Sequence, residues 1–182
     1  MADTPSWVHA VWPLALRTER LRLRPVETAD LPMLTELWRS RAVRLFLGGP
    51  VAEEHIAERL QTAEGAVGAF TVELAAEGPV LGRVTVDSDH RAADRIEVSY
   101  EFLPRYHGMG YAAEAVSEAI RWAQSVAPAG QRVVAVTQVA NLRSRRLLER
   151  IGMSQTERFT EYGAEQALYT ASGRPDPGSS GS

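Results

Sequence analysis

Between Ala66 and Leu103 the chain passes three times through alternating apolar and polar residues, and just beyond, the period changes from two to that of a helix. The three runs are AVGAFTVEL, GPVLGRVTVD and DRIEVSYEFL, parted by Gly78-Pro79 and by the polar stretch SDHRAA. Period-two alternation suits half-buried strands, and the short polar breaks turn the chain back, so the spacing predicts an antiparallel meander. From Gly110 to Ala127, Ala112, Val116, Ala119, Ile120 and Ala123 fall on one stripe of an amphipathic helix closed by Pro128 and Gly130. RVVAVTQV follows as a continuously apolar strand of the kind buried on both faces. Residues 95–136 therefore form one strand–helix–strand crossover in an otherwise antiparallel fold.

The flanks complete the pattern. TERLRLRPVETAD, from Thr18, alternates Leu21 and Leu23 with arginines as a strand, and Thr28 or Asp30 is placed to cap a helix through Leu31, Leu34, Leu37 and Trp38. Gly48-Gly49-Pro50 breaks the chain before a second short helix, about Ala52 to Glu64, with Ile56, Leu60 and Ala63 on one side. Asn141 is placed to cap a helix through Leu147, Leu148 and Ile151 that Gly152 ends. Weaker strands at about 155–161 and 165–170 finish the order βααβββαβαββ. The expected class is α+β, a mostly antiparallel sheet flanked by helices. One domain, residues 1–171, accounts for this chain of 182 residues. The tail 172–182, SGRPDPGSSGS, has no apolar residue and is expected to be flexible; its end is compatible with a cloning scar.

Several functions are excluded at this level. The formal net charge is −3 and the basic residues are scattered, which leaves no footprint for nucleic acid. There is no cysteine, so thiolate catalysis, zinc–thiolate sites and disulfides are out, and a reducing compartment fits. Residues 1–16 lack the basic leader and long apolar core of a signal peptide, and nothing approaches the roughly 20 apolar residues of a membrane span. The expectation is a cytoplasmic protein without a membrane partner. Asp87 to His90 reads as ordinary turn residues, and His9 and His55 have no partner at ligand spacing, so no metal is expected. No G-x-S-x-G elbow is present.

The stretch PRYHGMGYAAEA, residues 104–115, carries the chemistry. Taken as G-x-G-x-x-A, Gly108 to Ala113, it is a loose dinucleotide fingerprint; taken as R-x-x-G-x-G, Arg105 to Gly110, it is a different anion cradle. A dinucleotide loop follows the first buried strand of a parallel sheet and wants a carboxylate about 20 residues on. Here the preceding strand alternates and VTQVAN offers no carboxylate. The second form asks only for a strand, a bare loop and a helix N-terminus, which suits a pyrophosphate. Glycine alone also fits a plain structural turn.

Three blocks, LRTERLRLRPVETADL, IEVSYEFLPRYHGMGYAAEA and VTQVANLRSRRLLERIGM, resemble in order and spacing the GNAT superfamily of acetyl-CoA-dependent N-acetyltransferases. The likeness runs from about Leu16 to Thr170 and is greatest to the Rim-type branch, which acetylates ribosomal-protein N-termini. It implies a sheet splayed between its fourth and fifth strands, with acetyl-CoA as cosubstrate. It also implies that the amides of His107, Gly108, Met109, Gly110, Tyr111 and Ala112 hold the pyrophosphate, with Arg105 at the loop's start. Phe102 and Leu103 would bond pantetheine like an added strand, and Asn141 would contact CoA.

Acyl transfer to an amine needs a neutral amine, a stabilised oxyanion and a hydrogen-bond or proton donor for the leaving thiolate. A lysine amine costs about 4.6 kcal/mol to deprotonate at pH 7, an α-amine only about 1. Glu97, alternating with Ile96 and Val98, is the preferred base, with Glu101 of the same parity as second choice. Either carboxylate also fits a solvated strand face. Ser144 shares the stripe of Leu147, Leu148 and Ile151 and is the candidate donor to sulfur, because RRLLER stands where some family members carry a tyrosine. Tyr162 and Tyr169 are reserves. Arg143, Arg145 and Arg146 meet the CoA 3′-phosphate or form a solvated helix face, the commoner case. Trp38, Phe46 and the loop to Pro50 are expected in the core and acceptor wall. The acceptor, a protein N-terminus or a small amine, stays open, as do monomer or homodimer and a CoA-binding module without turnover.

Overall fold

A computed structural model describes residues 6–75 and 78–172, so most of the expected tail lies outside the described residues. After a short helix α1 (Ser6–Val11), strands β1 (Leu16–Arg17) and β2 (Leu21–Pro25) form the first hairpin. Helices α2 (Leu31–Arg39), α3 (Arg41–Arg44) and α4 (Glu53–Ala63) lead to the meander β3 (Ala69–Leu74), β4 (Val80–Ser88) and β5 (Arg95–Phe102). Helix α5 (Tyr111–Val126) crosses to β6 (Arg132–Gln138), and α6 (Leu142–Arg150) precedes β7 (Met153–Glu161) and β8 (Ala164–Ala171). The eight strands lie in the order β1-β2-β3-β4-β5-β6-β8-β7, and β5 with β6 is the parallel pair. The expected α+β order holds; α1, α3 and β1 are additions too short for a periodicity to reveal.

Two apolar layers enclose the sheet. Val116, Ala119, Trp122 and Ala123 of α5 pack on Leu21, Phe70, Val84 and Val98, with Phe70 and Trp122 edge to face at 5.3 Å. On the opposite side Leu34, Leu37 and Trp38 of α2 and Ile56 of α4 pack on Ala69 and Leu103. Asp30 does not cap α2 through its side chain, as the sequence suggested. Its carboxylate is buried against Arg24 at 2.7 and 2.9 Å and accepts from Thr71 Oγ1 and the Glu27 amide. Arg24 points inward from β2, and only a carboxylate within reach makes that burial tolerable.

Two features position the cleft. β4 and β5 pair over seven rungs, from Gly82↔Phe102 to Ser88↔Ile96. A Cβ at Gly82 would sit 2.2 Å from the Glu101 carbonyl oxygen, so glycine is what allows this approach. β5 and β6, by contrast, share only Arg95↔Arg132, Ile96↔Val133 and Glu97↔Val134. Beyond that rung β6 stays on β8, from Val134↔Thr170 to Gln138↔Gln166, while β5 stays on β4. The strands therefore part into the wedge that the resemblance implied.

Candidate active site

The wedge opens onto two adjoining cavities. The narrower, about 240 Å³, lies between the 107–112 loop and α6, and the wider, about 580 Å³, extends beneath the segment from Ala42 to Phe46. Phe102, His107, Ala112, Arg143 and Leu147 line both, so the space is continuous.

Main chain dominates the loop. A 3-10 turn at Pro104–Tyr106 leads to Gly108 at φ +80° and Gly110 at φ +82°, backbone that L side chains rarely adopt. Gly110 is the N-cap of α5 and supplies no capping side chain, so amides at the helix start are left for an outside acceptor. A missing residue in the sequence reading, Arg20, secures the loop: it donates to the Met109 carbonyl at 3.1 Å, pairs with Glu114 at 2.6 Å and stacks 4.7 Å from the Tyr111 ring. Burial pushes the Glu114 carboxyl up, but hydrogen bonds from Thr18 and Arg20 more than offset this and hold it below the ordinary range. No pattern marks a lone arginine in a hairpin turn.

The other expected cosubstrate residues divide. Gly108, Gly110 and Ala112 line the narrower cavity, while Met109 is half exposed. His107 bridges the cleft, with Nε2 2.8 Å from the Phe102 carbonyl oxygen and Nδ1 against the Arg143 guanidinium. Phe102 thus turns main chain to the wedge. Leu103 does not: its amide donates to Leu81 at 3.0 Å and its carbonyl accepts from Tyr106 at 3.0 Å, because alternate residues of a strand face opposite neighbours. Arg105 begins the loop, but its guanidinium turns away to Glu36 at 2.5 Å. Asn141 lines the wider cavity and caps α6, its Oδ1 accepting from the Ser144 amide at 3.2 Å.

Of the two carboxylates, Glu101 reaches the cleft. It lines the wider cavity with Arg44 at 3.0 Å. Glu97 shares its face of β5 but lines neither cavity. Four residues back, about 13 Å along the strand, Glu97 sits on the last closed rung of the β5–β6 ladder and pairs with Arg91 at 2.8 Å. Burial pushes its carboxyl up even with Arg91 and His90 beside it. Ligand atoms of Asp89, His90 and Glu97 come within 4.8 Å of one another, an arrangement that the hairpin's sequence did not reveal. The Arg91 guanidinium bonds both Asp89 and Glu97 and supplies positive charge there.

Ser144 Oγ lies in the wider cavity, 2.7 Å from the hydroxyl of Tyr100. Tyr100 is a site residue that sequence reasoning missed, since its alternation with Ile96 and Val98 reads as core. Burial pushes its phenol up to about 12, against the opposing effect of the Ser144 hydrogen bond. The reserve tyrosines are placed elsewhere: Tyr169 is buried between Arg145 and Glu149, and Tyr162 is 86% exposed in the β7–β8 turn. Arg145 is thereby structural, Arg146 lines neither cavity, and Arg143 and the unanticipated Arg150 line the narrower one. Trp38 is core and Phe46 is cavity wall.

Comparison with known proteins matches residues 20–154 to the acetyltransferase (GNAT) domain. Similar solved structures include a GNAT-family acetyltransferase from Bacillus anthracis, 22% identical with TM-score 0.74 over 86% of this chain and 97% of that one. An acetyltransferase from Agrobacterium tumefaciens is 24% identical, TM-score 0.74, over 87% and 94%. The ribosomal-protein-S5-alanine acetyltransferase from Vibrio fischeri is 17% identical, TM-score 0.64, over 86% and 95%. At these identities the structures share the fold. No curated protein matches at a significant level.

Proposed function

The chain belongs to the GNAT acetyltransferase family, and from that premise we propose that it transfers acetyl from acetyl-CoA to a primary amine by direct attack in a ternary complex. The observation that carries this reading is the wedge between β5 and β6, with an uncapped helix start at one end and a carboxylate at the other. Acetyl-CoA supplies the thioester carbonyl that the amine attacks. The amides of the 107–112 loop and the start of α5, with Arg143 and Arg150, suit its pyrophosphate: glycines keep Cβ atoms out of the way and the arginines add charge. Phe102 offers main chain to the pantetheine arm, Leu103 anchors β5 to β4, and Asn141 holds the end of α6 in register.

In this reading the base is Glu101 rather than Glu97, because Glu101 stands in the cavity wall. It accepts the amine's proton directly or through a water, a small task if the amine is an α-amine. Ser144 donates a hydrogen bond to the departing sulfur. A protein N-terminus and a small-molecule amine are the acceptor classes; the fold shared with the Vibrio fischeri enzyme favours the first by analogy. The absence of cysteine suits a reducing compartment, and we place the protein in the cytoplasm.

A second reading has its own observation: Glu97 and Glu101 are each engaged by an arginine, as in a module that binds CoA without turnover. Calorimetry with acetyl-CoA and CoA, followed by a mass-detected panel of amine acceptors, separates the two. Binding with acetylation of one acceptor class is expected. Binding without any product favours the module, and no binding at tens of micromolar sinks the loop assignment.

A further inference from the structure

Two hydroxyls, Tyr100 Oη and Ser144 Oγ, lie 2.7 Å apart in the wall of the wider cavity. They come from different walls of the wedge, Tyr100 from β5 where it has left β6, and Ser144 from the first turn of α6. Their mutual bond is the side-chain hydrogen bond that each hydroxyl makes among the described residues. A hydroxyl has one proton to donate and two lone pairs, so one member donates and the other keeps its proton free.

The 2.7 Å separation allows either direction, and relative acidity selects the donor. A phenol is a stronger hydrogen-bond donor than an alkyl hydroxyl, and an alkyl oxygen is the stronger acceptor. Burial keeps the Tyr100 phenol protonated throughout the working range, so it remains a donor. The Asn141 cap fixes the α6 turn on which Ser144 sits.

We propose that Tyr100 is a positioning residue: its O–H donates to Ser144 Oγ and thereby leaves the serine's own O–H aimed along the cavity at the sulfur of CoA. The inference rests on the acetyltransferase reading above. No proton need leave either residue; Ser144 donates a hydrogen bond to the thiolate as the carbon–sulfur bond breaks, and the bond that its Oγ accepts from Tyr100 fixes the rotation of the serine hydroxyl so that its proton keeps that direction. An oriented donor to a charged acceptor exceeds an unoriented one in strength, so the effect belongs to the thiolate and not to binding of the rest of CoA.

The test uses the whole chain and CoA itself, so it does not depend on knowing the acceptor. The thiol–thiolate equilibrium of bound CoA is followed by thiolate absorbance against pH. Tyr100→Phe, which keeps the ring, and Ser144→Ala are each expected to shift that equilibrium about tenfold toward the thiol, and the double variant is expected to shift it no further. Tyr100→Phe that leaves the equilibrium at its wild-type position overturns the proposal, as do two effects that multiply, which would mean independent contacts. Absence of CoA binding by the wild-type chain overturns the acetyltransferase reading and this one with it. With an acceptor in hand, Tyr100→Phe is expected to lower kcat about tenfold with KM for acetyl-CoA within about twofold; a change confined to KM counts against it.

Discussion

Arg44 Nη1 stands 3.0 Å from Glu101 Oε1, with both side chains nearly enclosed, and of the two Glu101 lines the wider cavity. Glu97 meets Arg91 in the same manner on the same face of β5, but where the ladder is still closed. The two carboxylates differ in what lies beside them. Glu101→Gln is expected to lower kcat/KM by about 100-fold or more, in the range of a general base, and Glu97→Gln by less than about threefold. Steady-state rates on the best acceptor decide, and the reverse order returns the base to Glu97.

Glu97 also makes a prediction for stability. Its folded carboxyl titrates above the ordinary 4.5, chiefly through burial. Below that value both folded and unfolded chains hold the proton and the group contributes nothing. As pH rises from 4.5 toward the raised value, the unfolded chain releases its proton first, which weakens the folded state. Relative to wild type, Glu97→Gln should therefore gain stability between pH 4 and pH 7, read from urea midpoints at the two values. A gap that is unchanged or reversed means that the ion pair with Arg91 outweighs burial.

Gly82 has no room for a methyl group, since the Glu101 carbonyl and Phe102 Cα lie 2.2 and 2.8 Å from where a Cβ would be. Gly82→Ala should cost about 1–3 kcal/mol as an overpacked site, measured by denaturation. It should also lower turnover of the protein that remains folded, because the part of β5 pushed aside carries Tyr100, Glu101 and Phe102.

Arg150 lines the narrower cavity whereas Arg146, on the same helix, does not. Arg150→Ala is expected to weaken CoA binding by about three- to tenfold, with a shallower salt dependence. Pantetheine, which lacks the pyrophosphate, should bind the variant as it binds wild type. Arg146→Ala serves as the control; an equal loss in both variants points to a diffuse field of charge instead of a contact.

What the sequence made legible was local. Gly108 and Gly110 could be picked out because positive φ is a demand that a single residue type meets. Asn141 could be placed as a cap because the N-cap bond closes within three residues, at Ser144. The preference for Glu97 over Glu101 had no support in parity, which is the same for both; the difference lies in where β6 leaves β5. That is set by the competing hold of β8 on β6, some 30 residues further along the chain. Tyr100 was hidden by the opposite effect: its local pattern said core, and only the arrival of α6 over β5 gave its hydroxyl a partner. Asp30 and Arg20 were obscured likewise, since a charged side chain in a turn does not announce the distant partner it will meet.

Mechanically, the three rungs between β5 and β6 make the sheet into two plates joined at a narrow spine. One plate is the five strands from β1 to β5, and the other is β6, β8 and β7. Each plate is stiffened by its own long ladders, seven rungs between β4 and β5 and five between β6 and β8. A small rotation about the spine is magnified with distance along the wedge, so the width at Phe102 depends on how firmly the far end is held, where Ile96 faces Val133 and α5 packs across both plates. Residues that never approach a substrate thus control the gauge of the opening that admits it.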